Sequence, residues 1–264
     1  MSDPNSQDLV PPPPVTEAPD EATMSTAQTL TGIFFEPSRV FEALRQRPRF
    51  LAAAIICTIA LLAFTTLFFQ RVGYDRMITE AIENSPRAEQ MTPEQKEQAI
   101  RMQTGPVVKA IYYCSPIIVV ALIIAAGAGL YLLGSMLMGR KLSYKQALAV
   151  WTYSAMPPIV ISMLLNIVLL FIKSPDDYDI VHASRRGLVQ ANLGLFIDPK
   201  ASPVLGTLLS SIDLFAFYGL FLAALGLKKV GKMSSGAAWG IVLTIWIIGV
   251  IVRSTLAGIT GGMM

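Results

Sequence analysis

Five apolar runs, each long enough to cross a hydrocarbon core, constrain this chain more than anything else in it. They lie at about residues 50–70, 110–138, 150–172, 204–227 and 236–254. From Phe50 to Phe69 there is no charged side chain over about 20 residues, which at helical rise spans the apolar part of a bilayer. Only 15% of the residues are charged, against about 25% in ordinary soluble domains. That deficit is what lipid demands, because a charge at the bilayer centre costs about 2.5–3.5 kcal/mol on insertion scales. The expected fold class is therefore all-α: an integral membrane helical bundle with five transmembrane helices, preceded by a short amphipathic entry helix.

The remaining composition excludes several functions. The net charge of +3 comes from basic residues at the ends of the runs, and no basic stripe with interleaved aromatics suggests nucleic acid. Cys57 and Cys114 both sit in apolar runs without partners at ligand spacing, so no metal site and no cofactor are expected. The first apolar run starts too far along for a cleaved secretory signal and reads as an uncleaved insertion signal.

Residues 1–30 are rich in proline and acidic residues and read as a disordered cytoplasmic tail. Residues 32–49 follow as an amphipathic helix with Pro37 in its first turn. Val40, Phe41 and Leu44 share one face, and Arg39, Arg45, Arg47 and Arg49 decorate the rest. Arg39, Phe41, Arg45 and Arg47 suit an anchor lying in the headgroup region. Between the first two spans, the polar insert 71–105 predicts a helical hairpin. Thr92-Pro93-Glu94-Gln95 has the form of a capping box, and Glu97 and Arg101 stand at i, i+4. Met77, Ile78, Ala81 and Ile82 form an apolar face upstream, read as an extension of the first span.

Inside the spans, Pro116 and the pair Pro157-Pro158 predict kinks, since proline cannot donate to the carbonyl four residues back. The Thr152 and Ser154 hydroxyls, or a neighbouring helix, are candidates to satisfy the carbonyls of Tyr153 and Ser154 left free by the proline pair. Ala121, Ala125 and Gly129 recur every four residues, and Gly236 and Gly240 repeat that spacing; both are small-residue packing candidates. In the polar segment 173–203, Leu188, Leu193, Leu195, Phe196 and Ile197 suggest an interfacial piece. Two short loops carry Arg140, Lys141, Lys145 and Lys228, Lys229, Lys232 without an acidic residue. Short basic loops weigh most in the positive-inside rule, which puts the N-terminus in the cytoplasm and the C-terminus outside.

Two polar residues stand deep in the runs. Asp213 lies in the fourth, and Arg253, near the end of the fifth, is within roughly 5 Å of the same depth at helical rise. An intramembrane ion pair between them is the sharper expectation; the blander one has Asp213 capping a late-starting helix and Arg253 snorkelling to headgroups. Asn166 in the third run is a buried polar group suited to an interhelical hydrogen bond. Enzyme chemistry finds no footing. His182, the only histidine, lies between spans, and no nucleophile-elbow, zinc-protease or phosphate-loop motif occurs, so no catalytic residue is assigned.

Several short motifs, in order, carry a family resemblance. Glu36-Pro37-Ser38-Arg39-Val40-Phe41 precedes the first span. Tyr144-Lys145-Gln146-Ala147-Leu148 leads to Tyr153-Ser154-Ala155-Met156-Pro157 in the third. Ile212-Asp213-Leu214-Phe215, Leu225-Gly226-Leu227 and Gly236-Ala237-Ala238 mark the fourth and fifth. Together they resemble the Yip (Ypt-interacting protein) domain family over residues 32–255, with the membrane domain itself read as 31–258. The resemblance implies five helical spans with a cytoplasmic N-terminus and, from eukaryotic members, a link to Rab-type GTPases. A short N-terminal region and a large first external insert make this chain more similar to the bacterial branch, so the membrane implied is a bacterial inner membrane. The function expected is a non-enzymatic scaffold that binds the bilayer and a membrane-protein partner or a second copy. The alternative is a transporter or channel component with a polar path through Asp213 and Asn166.

Overall fold

The computed structural model describes residues 24–85, 87–197 and 202–260, and the expectation for residues 1–23 lies outside them. Every regular element among the described residues is helical. Helix α1 (Thr26–Phe35) opens with a capping box in which Ser25 accepts from the Gln28 N–H and Gln28 returns a bond to Ser25. It begins inside the stretch read as tail. Helix α2 (Pro37–Gln46) follows after one residue, with proline at its first position.

Four helices are long and apolar enough to cross a membrane: α3 (Leu51–Val72), α6 (Pro106–Leu137), α7 (Tyr144–Ile172) and α11 (Ser235–Thr260). In the most apolar stretch of each, only 22–28% is buried within the protein. Large apolar side chains such as Ile118, Leu122, Leu164 and Ile248 are exposed there, which is a surface suited to lipid and not to water. The chain is accordingly a multi-pass membrane protein.

The fourth run does not form one helix. It divides into α9 (Pro203–Ser210) and α10 (Leu214–Val230), separated at Ser211, Ile212 and Asp213. Neither half reaches the length of the other four, which corrects the expectation of five continuous spans.

Helix α7 is central and packs against α3, α6 and α10. Its proline pair is held within a continuous helix. The hydroxyls of Thr152 and Ser154 donate to Leu148 and Trp151 carbonyls, so they do not serve the carbonyls freed by Pro157 and Pro158. In α6 the local solution is complete: Pro116 leaves the Tyr112 carbonyl without its N–H, and the Ser115 hydroxyl donates to that oxygen at 2.8 Å.

One end of the bundle carries α1, α2 and the turns 138–143 and 231–234. Gln146 Nε2 donates to the Arg45 carbonyl at 2.9 Å and Lys229 meets Glu42 at 2.6 Å, both at that end. The other end carries α4 (Tyr74–Glu83), α5 (Pro93–Gln103) and α8 (Ile180–Arg186). Arg76 reaches Asp176 at 2.8 Å there. The α4–α5 pair is the expected hairpin, and the Thr92 capping box and the Glu97–Arg101 pair both form. Helix α4 is separated from α3 at Gly73 and folds back, burying Met77, Ile78 and Ile82, so it is not an extension of the span.

Candidate functional site

The polar residues singled out inside the membrane converge on one stretch of backbone, residues 187–197, at the α4–α8 end. Asn166 of α7 is 2% exposed. Its Oδ1 accepts the N–H of Leu188 and, at 2.9 Å, that of Val189, while its Nδ2 donates to the Ser162 carbonyl at 2.9 Å. One amide side chain thus satisfies two backbone donors that burial would otherwise strand. Gly187 makes the approach feasible. Its φ of +82° with ψ 178° is a glycine conformation, and a Cβ there would lie 2.6 Å from Asn166 Oδ1.

The backbone groups flanking Asp213 hold the same stretch a few residues on. Where the fourth run breaks, Leu193 N–H donates to the Ile212 carbonyl (3.2 Å) and Leu214 N–H to the Ala191 carbonyl (3.0 Å), a short antiparallel bridge between Asn192 and Asp213. The Asp213 carboxylate accepts from the Ala216 N–H at 2.9 Å and caps α10. A helix broken in a membrane must find partners for its freed backbone groups, and these bonds supply them.

The Asp213–Arg253 ion pair is not among the pairs formed by the described residues. Arg253 is exposed, and its Nε donates to the Gly249 carbonyl one turn back. Its electrostatic neighbour is another cation: burial, and then the charge of Arg253, hold the Arg186 guanidinium below its ordinary pKa. The capping alternative is the one observed. His182 lies in α8, where its N–H donates to Asp179 Oδ1 at 2.8 Å; burial, then the charge of Arg186, push its imidazole below the usual histidine value. Leu193, Leu195 and Phe196 present exposed apolar side chains, in keeping with an interfacial piece, whereas Leu188 is buried.

At the opposite end, the anchor residues part company. Val40, Phe41 and Leu44 are at most 1% exposed. Phe41 lies against Gly226 of α10, where a Cβ would come within 2.9 Å of its ring and 2.8 Å of Val150. Phe41 is therefore a tertiary knob and not a lipid anchor; the apolar face of α2 has a protein partner that a helical wheel cannot reveal. Nearby, Thr29 and Tyr153, both buried, join hydroxyls at 3.0 Å. Since the Thr29 hydroxyl donates to Thr26 O, Tyr153 is the donor to Thr29. Arg39, Arg45, Arg47 and Arg49 are left lining a cleft beside them.

Among the described residues the small-residue stripes make no close helix contact. Ala121 and Ala125 are exposed, and nothing stands within 4 Å of a Cβ built on Gly129, Gly236 or Gly240. The close internal contacts fall on Gly127, against Trp151, and Gly134, against Ile241, positions that the four-residue spacing missed. Their seven-residue separation on a buried face was the available signal. No group of acidic, histidine and cysteine side chains able to hold a metal occurs among the described residues.

The family model for the Yip1 domain matches residues 31–255. No curated protein matches the chain, and no solved structure does.

Proposed function

The chain belongs to the Yip1 domain family, and from that premise we propose that it is a non-enzymatic membrane scaffold that acts by binding a membrane-protein partner or a second copy through its lipid-facing helices. In this reading α9 and α10 together make a fifth crossing. The placement of Lys229 beside Glu42 supports it, because α10 then ends where α2 lies while α7 has ended at the other side. The crossing order and the basic turns 138–143 and 231–234 favour a cytoplasmic N-terminus and an external C-terminus, and the resemblance to bacterial members favours a bacterial inner membrane.

One observation carries the proposal: in the stripe Ala121, Ala125, Gly129 the two alanines are exposed and no described residue packs on Gly129, the one bond to the stripe being from the Tyr144 hydroxyl to the Ala125 carbonyl at 3.0 Å. Small residues in a row let a second helix approach closely where lipid gives no hydrophobic drive to associate. The transporter alternative draws less support, because Asn166 Oδ1 and Asp213 Oδ1 accept from backbone N–H groups. A photo-crosslinker at Ala125 in native membranes tests the scaffold. It captures a defined protein adduct if the stripe is an interface, and Gly129→Ile abolishes the adduct. Lipid adducts alone at Ala125, as at neighbouring Leu122, contradict the proposal.

A further inference from the structure

The arginine-lined cleft at the α2 end carries an inference independent of any protein partner. It has a volume of about 320 Å³, within the range of small-ligand sites, and Arg39, Arg45, Arg47 and Arg49 line it together with Glu42 and Thr29. Four cations share the rim with one carboxylate, and that carboxylate is held by Lys229 at 2.6 Å. Arg39 takes Glu36 at 3.1 Å. Arg45 and Arg47 form no ion pair among the described residues.

The cleft is also built, not merely decorated. Arg49 Nη1 donates to Thr26 Oγ1 at 3.1 Å, fixing one guanidinium against α1. The Arg45 carbonyl takes the Gln146 amide, which ties the end of α2 to α7. Arg45 and Arg49 are half-buried, so their charges are less screened than those of free surface arginines. The depth is decisive. α3 starts at Leu51, and Arg47 and Arg49 directly precede it, so the cleft sits at the level of lipid phosphates. Guanidinium is suited to bidentate bonds with phosphate oxygens.

We propose that this cleft is a binding site for the phosphate headgroup of one anionic phospholipid from the adjoining leaflet. The full chain in neutral detergent is titrated with dioctanoyl-phosphatidylglycerol, dioctanoyl-phosphatidylcholine or inorganic phosphate, and its unfolding midpoint is read. The phosphatidylglycerol raises the midpoint saturably, and the other two do not. Arg45→Gln with Arg47→Gln raises the half-saturating concentration about tenfold or more. Arg140→Gln with Lys141→Gln, which removes the same charge from the same end, leaves it within about twofold. The lipid-free midpoint of each variant checks folding, and native mass spectrometry of the parent shows one retained phosphatidylglycerol. Equal weakening by the two double variants, an equal response to phosphatidylcholine, or inorganic phosphate matching the lipid overturns the proposal.

Discussion

At the α1–α2 end, Val40, Phe41 and Leu44 are buried, Phe41 against Gly226 and Val40 against Gly32, with one hydroxyl pair, Thr29–Tyr153, beside them. At the α4–α8 end, besides an aromatic group around Phe69, Tyr74 and Tyr113, a loop is held by polar side chains and backbone bonds reaching it from within the spans. The first arrangement is closed by volume and the second by hydrogen-bond satisfaction. The contrast teaches that a polar residue in a span is no pointer to a transport path until its backbone partners are counted. A broken helix needs such residues simply to exist in lipid.

Mutations at the two ends should separate these modes. Phe41→Ala removes a fully buried ring and leaves a cavity, with an expected loss of about 3–5 kcal/mol. Unfolding in detergent reads the loss, while amide protection of residues 188–193 stays as in the parent. If that protection collapses as well, the two ends are one cooperative unit. Asn166→Leu keeps the volume but strands the Leu188 and Val189 N–H groups, for an expected loss of about 2–4 kcal/mol. Gly187→Ala should mimic it, because the new Cβ meets Asn166 and the positive φ is strained.

Asp213→Ala removes the α10 cap and should cost about 1 kcal/mol, while Asp213→Asn, also a good cap, should be nearly silent in stability. A large effect of Asp213→Asn, rescued by neutralising Arg253, would revive the ion pair. The smallest effect concerns pH. His182 is held below its usual pKa by burial and by Arg186, with Arg185 reinforcing and Asp179 opposing. The unfolded chain therefore takes up the proton first, so this contribution is whole above about pH 6.5 and declines as pH falls below it. Comparing the parent with His182→Gln from about pH 7.5 to about pH 5.5 should show a shallower decline in the variant.

Much of the framework was legible in the residues. Hydropathy alone located the four long spans, and Thr92-Pro93-Glu94-Gln95 announced the start of α5, because capping chemistry is local. Phe41 was misread because amphipathicity shows that a helix has an apolar face but not whether lipid or Gly226 covers it. The break in the fourth run is not legible because the hydropathy there is continuous. The break at Ser211–Asp213 depends on backbone donors and acceptors at 191–193, which are remote in sequence. Asn166 was correctly singled out as a buried polar group, but its partners are backbone amides of a loop, and nothing in a single sequence marks those.

Hydrogen exchange at the Leu188 and Val189 amides, in the parent and in Asn166→Leu, puts the most direct question to this picture. Slow exchange in the parent and fast exchange in the variant, with the α1–α2 end unchanged, is the expected result. Free exchange at both amides in the parent would contradict it, and Asn166 would again be available to line a path.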